Sequence, residues 1–167
     1  MALNIKNTIR VNLPHNQVWE VLKNFGDLDK YAPTIMSSPI LNDKNSGVGS
    51  IRKCIFFNDS DMTEEITEFQ EGRGYKIKIT EHQMPFVSDN FEEIYVERID
   101  DNTSEINMLV NFDMSGGPLG WLVGSFMLKP MMSSVTMKII KGLAYYAKTG
   151  NEISDKLPEK GELKFIQ

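Results

Sequence analysis

Arg52 and Glu65 are the residues of this chain whose types and spacing offer chemistry most directly. They stand in "GSIRKCIFF" and "MTEEITEFQ", two runs that flank "NDSD", and a short polar turn between such runs is a hairpin signature. A two-residue turn at Asn58-Asp59 places Arg52 and Glu65 directly opposite one another, on one face of the hairpin. A charged pair inside an apolar cavity orients a polar ligand head or tunes a carboxylate for acid–base work, which makes Glu65 the leading candidate for a catalytic group. The plainer alternative is a solvated cross-strand ion pair worth under about 1 kcal/mol. A one-residue change in the turn pairs Lys53 with Glu65 instead.

The other chemistry-bearing residues are sparse. His15 begins a helix and His82 ends a strand beside "QMPFVS"; two isolated histidines without a third ligand make a poor metal site, so no metal and no cofactor are expected. A Cys54–His82 nucleophile pair has no recognisable activating context around it. "GGPLG" (116–120) lacks the lysine and the glycine spacing of a phosphate loop and follows a strand in a meander, so its glycines turn the chain into a helix.

The 167 residues are enough for one domain with a real core, and 41% hydrophobic with 25% charged residues is ordinary globular composition. A net charge of -5 and the absence of a nucleic-acid-binding signature argue against nucleic acid as a partner. One cysteine excludes an internal disulfide and a cysteine-based zinc site. With an opening segment that alternates rather than forming an apolar block, this points to a reducing, cytoplasmic setting. Ten methionines in a small domain point to an adaptable apolar interior.

The elements that must position these residues follow from periodicity. "LNIKNTIRV" alternates as a strand, and "PHNQVWEVLKNF" carries Val18, Trp19, Leu22 and Phe25 at helical spacing. Gly26 ends that helix, and "DLDKY" makes one more short turn of helix before Pro33. Alternating runs separated by "NDSD", "EGRG" and "DDNT" then read as consecutive hairpins, hence an antiparallel meander. Residues 116–137 hold a single charge, Lys129, yet Leu128, Met132, Val135, Ile139, Leu143 and Tyr146 fall within roughly a 100° arc opposite Lys138, Lys141 and Lys148. That is an amphipathic helix packing on a sheet, not a span, which needs about 20 apolar residues. Pro130 kinks it or separates two helices. Residues 119–127 are apolar all round, and residues 149–167 read as a polar, loosely held tail.

The motifs "VWEVLKNFGDLDKYAP" (18–33), "GVGSIRKCIF" (47–56), "TEEITEFQEGRGYKIKI" (63–79) and "LKPMM" (128–132), with this order of elements, resemble the START-like or Bet v 1-like (SRPBCC) superfamily and its polyketide cyclase/dehydrase branch. The resemblance runs over residues 1–148. It implies an α+β helix-grip fold: a seven-stranded curved antiparallel sheet wrapped around a long C-terminal helix, with two short helices after the first strand. It also implies a cavity between sheet and helix, gated by "NDSD" and "QMPFVS". The branch often has Trp-His-Pro where this chain has Tyr31-Ala32-Pro33, which removes one histidine from the pocket.

On that basis Tyr31, Arg52, Glu65, Tyr75, Ile77, Phe86, Phe91, Tyr95, Met108, Phe112, Trp121, Phe126, Met127 and Met131 are the candidate ligand-binding residues. Three functions are carried forward. One is a binder or carrier of a lipid, quinone or polyketide-like molecule. The second is a cyclase, aromatase or dehydratase with Glu65, Arg52 and Tyr95 as its available groups. The third is a module docking a membrane or protein through the apolar start of the last helix, which requires Trp121 and Phe126 to be exposed. As partners a small hydrophobic ligand is expected, with peripheral membrane contact and a monomer or homodimer as the assembly.

Overall fold

Along β1 (Ala2–Val11) buried and exposed residues alternate without interruption, so Leu3, Ile5, Asn7, Ile9 and Val11 face inward. A computed structural model describes residues 2–167 of the chain. The other strands are β2 (Ile35–Ser37), β3 (Ile51–Phe56), β4 (Asp61–Gln70), β5 (Gly74–Glu81), β6 (Val87–Arg98) and β7 (Ser104–Met114). They form one antiparallel sheet in the order β1-β7-β6-β5-β4-β3-β2. Consecutive hairpins explain every neighbour except β1, which closes on β7. β2 has three residues, too few to show a period, and only its place beside β3 identifies it.

Helix α1 (His15–Leu22) follows Pro14 and buries Val18, Trp19 and Leu22. It stops before the expected Gly26, and a tighter 3₁₀ segment, Phe25–Lys30, follows. The C-terminal segment starts with α2 (Gly117–Val123), passes through a widened turn at Gly124–Leu128, and continues as α3 (Lys129–Thr149). Pro130 has no N–H to give to the preceding turn, and the chain absorbs that loss by widening the helix just before it. The apolar block is therefore two helical pieces joined through a bulge.

Two contacts seat α3, one on the sheet and one on the segment that follows the 3₁₀ turn. Asn7 on β1 donates from Nδ2 to Thr136 Oγ1 at 2.6 Å and to the Ser133 carbonyl at 2.7 Å. A Cβ at Gly142 would lie 1.9 Å from the Tyr31 carbonyl oxygen, so only glycine lets the helix cross the chain there. Residues 149–167 are not loose. Ile153 and Phe165 are buried, the Ile153 N–H donates to the Lys30 carbonyl, and Val11 bridges Ile166. A few apolar residues widely spaced among polar ones are enough to hold that segment down.

Candidate functional site

The core divides into two apolar clusters. The larger gathers α1, the later half of α3 and the sheet around Ile66, Ile77 and Ile106, while the smaller gathers Leu3, Ile5, Val110, Phe112, Met114 and Leu128. Beside both, between sheet and α3, lies a cavity of about 450 Å³. Met131, Met132, Val135, Thr136 and Ile139 of α3 form one wall, and Tyr75, Ile77, Glu92, Ile94 and Met108 of the sheet form the opposite one. Asn58, Ser60 and Asp61 from one loop and residues 82–85 from another also line the cavity, with Asn58, Gln83 and Pro85 exposed at its rim. Both loops named from the sequence thus reach the cavity. Volume and apolar walls both fall in the range of small-molecule sites.

Arg52 points into this cavity, and its partner is Glu64, not Glu65. Arg52 Nε and one terminal nitrogen donate to Glu64 Oε2 at 2.6 and 2.5 Å. The other terminal nitrogen donates to the Phe25 carbonyl at 2.6 Å, and the guanidinium carbon lies 3.9 Å from the centre of the Phe25 ring. Arg52 is 3% exposed and Glu64 1%, so the pair is wholly desolvated.

The change of partner comes from the turn. The Phe56 N–H donates to the Ser60 carbonyl, and Asp59 adopts a left-handed conformation (φ 63°). The loop therefore spans three residues, a common hairpin type, and the register pairs Arg52 with Glu64 and Ile51 with Glu65. Glu65 lies half-buried on the other face, opposite Lys78. Lys53 lies opposite Thr63 and pairs with Asp61, so the Lys53–Glu65 alternative does not form either.

Glu92 is the group that the sequence reading passed over. It faces inward from β6 opposite Ile77 and Val110, is 5% exposed, and has no hydrogen-bond or ion-pair partner among the described residues. Burial pushes its carboxyl up to about 8; the Glu64 carboxylate adds to the shift and Arg52 opposes it. At neutral pH the cavity wall then holds one balanced ion pair and one protonated acid. A signal was present: in "DNFEEIYVERI" Glu92 is in phase with Ile94 and Val96, as Glu64 is with Ile66.

Tyr31 and Tyr75 are buried and hydrogen-bonded to each other; burial is the main cause that raises both hydroxyls, Tyr31 the more strongly. Burial likewise raises the Cys54 thiol well above its ordinary value, which leaves it a poor nucleophile. His82 stands at the rim, where its Nδ1 accepts from the Met84 N–H, and no hydrogen bond joins it to Cys54 among the described residues. Nor do the described residues contain a cluster able to hold a metal ion.

Of the candidate residues, Tyr31, Arg52, Tyr75, Ile77, Met108 and Met131 line the cavity. Phe91 and Tyr95 lie on the outer face of β6, under Lys76 and Lys78 and under Arg73 respectively, because odd-numbered positions of that strand point outward. Phe112 faces inward but fills the smaller apolar cluster. Phe86 takes a left-handed conformation (φ 62°) and turns partly outward, and Met84 and Pro85 stand at the rim in its place. Trp121, Phe126 and Met127 are 40%, 72% and 67% exposed, so they form surface, not cavity wall. No helix among the described residues is long and apolar enough to cross a membrane.

Residues 2–144 match the family model described as polyketide cyclase/dehydrase and lipid transport. No curated protein matches the sequence. Among solved structures the chain is similar to Zhui aromatase/cyclase from Streptomyces sp. R1128, with 16% identity, TM-score 0.72, and 89% of this chain and 94% of that one covered. It is similar to Ara h 8.0201 at 19% identity and TM-score 0.70, covering 89% and 99%. A Thalictrum norcoclaurine synthase point mutant gives 15% identity and TM-score 0.68, covering 89% and 98%. At these identities the likeness establishes the helix-grip, Bet v 1-like fold.

Proposed function

Because the chain belongs to the polyketide cyclase/dehydrase and lipid transport family, we propose that it binds an apolar or amphipathic small molecule between sheet and α3. The observation that carries this reading is the 450 Å³ cavity, whose apolar walls enclose a buried ion pair and a lone carboxyl. Walls rich in methionine adapt to a flexible apolar guest. Residues 1–148 make the binding domain in this reading, and 149–167 strap it at Lys30 and Val11. A carrier needs only the cavity. A cyclase or dehydratase also needs an acid touching the substrate, and Glu92 meets that requirement better than Glu65, which faces away.

Native mass spectrometry of the purified protein tests the binding reading. A bound mass that organic solvent removes, or one equivalent of the fluorescent probe N-phenyl-1-naphthylamine taken up by the extracted protein, is the expected result. Protein that is free of ligand and takes up no probe contradicts it.

A second reading adds to the first. No charge occurs in residues 114–128, and Leu119, Trp121, Leu122, Phe126 and Met127 are all exposed there, next to the cavity-lining Met131. Exposed aromatic and aliphatic side chains without a complementary shape suit shallow insertion into a bilayer, beside the opening a lipid would use. Flotation with phosphatidylcholine vesicles should carry the parent protein upward, and a Trp121→Ser/Phe126→Ser variant should stay behind. Equal behaviour of the two proteins removes this reading.

A further inference from the structure

We infer that Glu92 is the ligand's polar contact: its carboxyl O–H donates to an uncharged acceptor oxygen, such as a carbonyl, on an otherwise apolar molecule. By the same arrangement the cavity rejects ligand carboxylates and ammonium groups. The inference rests on the proposed binding role and specifies which end chemistry the cavity accepts.

Most polar groups in the wall are already committed. Arg52 gives three of its nitrogens to Glu64 and to the Phe25 carbonyl, the Tyr31 hydroxyl donates to that of Tyr75, and Thr136 Oγ1 is shared between Asn7 and the Met132 carbonyl. Two buried groups in the wall have no partner of either kind. Glu92 has no partner among the described residues, and Thr34 Oγ1 is buried without one. Both carry an O–H, and a buried donor left unmade costs about 1–3 kcal/mol. A ligand oxygen removes that cost at Glu92, a gain that a plain hydrocarbon does not bring.

Charge decides against ionic ligands. The lining contains no lysine, and the guanidinium of Arg52 is neutralised by Glu64, so a ligand carboxylate would find no free cation and two carboxyl groups nearby. A ligand ammonium would have to leave its hydration shell and strip the proton from Glu92. Desolvating an ion costs several kcal/mol, so this route loses to a neutral guest.

Glu92's surroundings also set a pH dependence. The titratable groups facing it are Arg52 and Cys54 of β3, Glu64 of β4, Tyr75 of β5 and Tyr31. From β7 it meets Val110, and the α3 wall, Met131 to Ile139, presents no titratable side chain. His82 and Asp61 stand farther out, at the rim. Of the facing groups, Glu92 is the one whose carboxyl, pushed up to about 8, changes charge just above neutrality.

The test is displacement of N-phenyl-1-naphthylamine by four guests of equal length: undecane, 2-undecanone, undecanoic acid and undecylamine, at pH 6.5. The ketone is expected to displace best, several-fold better than undecane and at least about tenfold better than the acid and the amine. Glu92→Leu should erase the ketone's advantage, so that ketone and undecane displace the probe about equally. Glu92→Gln, which keeps an N–H donor, should retain much of it. Raising the pH to 9 should weaken the ketone for the parent and not for Glu92→Gln. A best-binding acid or amine, or a ketone advantage that survives Glu92→Leu, overturns the inference and leaves the binding role standing. If neither the probe nor any guest binds, the binding role itself fails, and this inference falls with it.

Discussion

Replacing Arg52 with methionine is expected to destabilise the protein by about 3–5 kcal/mol at neutral pH. Methionine fills much of the same space, so the loss is not one of volume. It arises because Glu64, 1% exposed, loses the cation paired with it, while the Phe25 carbonyl loses a donor at 2.6 Å. For a domain of this size each kcal/mol moves the melting temperature by about 2–4 °C, so a fall of roughly 6–20 °C should be seen by calorimetry. The double variant Arg52→Met/Glu64→Leu separates the pair's net worth from the penalty of breaking it. Removing both charges is expected to restore most of the lost stability, since a buried ion pair and an apolar replacement of similar volume come out nearly equal. A single variant within about 0.5 kcal/mol of the parent would mean that Arg52 and Glu64 are not a desolvated pair.

The second large effect is Glu92→Gln, and its sign depends on pH. The carboxyl ionises at about 8 in the folded protein and near 4.5 in the open chain. Between those values the folded state holds a proton that the unfolded state has lost, so stability falls as pH rises. The slope approaches about 1.4 kcal/mol per pH unit, and by pH 7 the accumulated loss is roughly 3 kcal/mol. Below pH 4.5 both states are protonated and the effect vanishes. Glutamine has nearly the same shape and no charge to lose, so the ligand-free variant should be more stable than the parent by about 4 kcal/mol at pH 8 and nearly equal to it at pH 4.5. Denaturant titrations at several pH values measure this directly. Parallel stability profiles for the two proteins would show that Glu92 is not held protonated in the cavity. Retention of a carboxyl at a cost to stability is what a binding or reacting site entails.

These two residues also show how far the sequence could be read. Alternation alone placed β1 and the later strands, because a period of two is visible in runs such as Tyr75, Ile77 and Ile79. The same rule applied to charged residues would have found Glu64 and Glu92, each in phase with the buried isoleucine two positions on. A two-residue turn at Asn58-Asp59 points to Glu65 instead. A left-handed Asp59 adds one, and a single step in register moves every side chain to the other face. Phe91 and Tyr95 are candidate ligand-binding residues by sequence, yet their phase puts them under lysines and an arginine on the outer sheet face. The apolar run at 119–127 has no period to orient it, so only the packing of α2 and the widened turn after it places Trp121 and Phe126 on the surface. Ile153 and Phe165 were hidden by a polar composition that is irrelevant to two well-placed contacts.

The most direct test of the binding role uses the methionines themselves. Met62, Met84, Met108, Met131 and Met132 line the cavity, whereas Met36, Met114, Met127 and Met137 lie outside it. With carbon-13 in the methionine methyl groups, titration with N-phenyl-1-naphthylamine should shift the first set and saturate at one equivalent, leaving Met36, Met127 and Met137 in place. Shifts confined to Met127 and its exposed neighbours, or no saturable change at Met108 and Met132, would contradict a ligand cavity between sheet and helix.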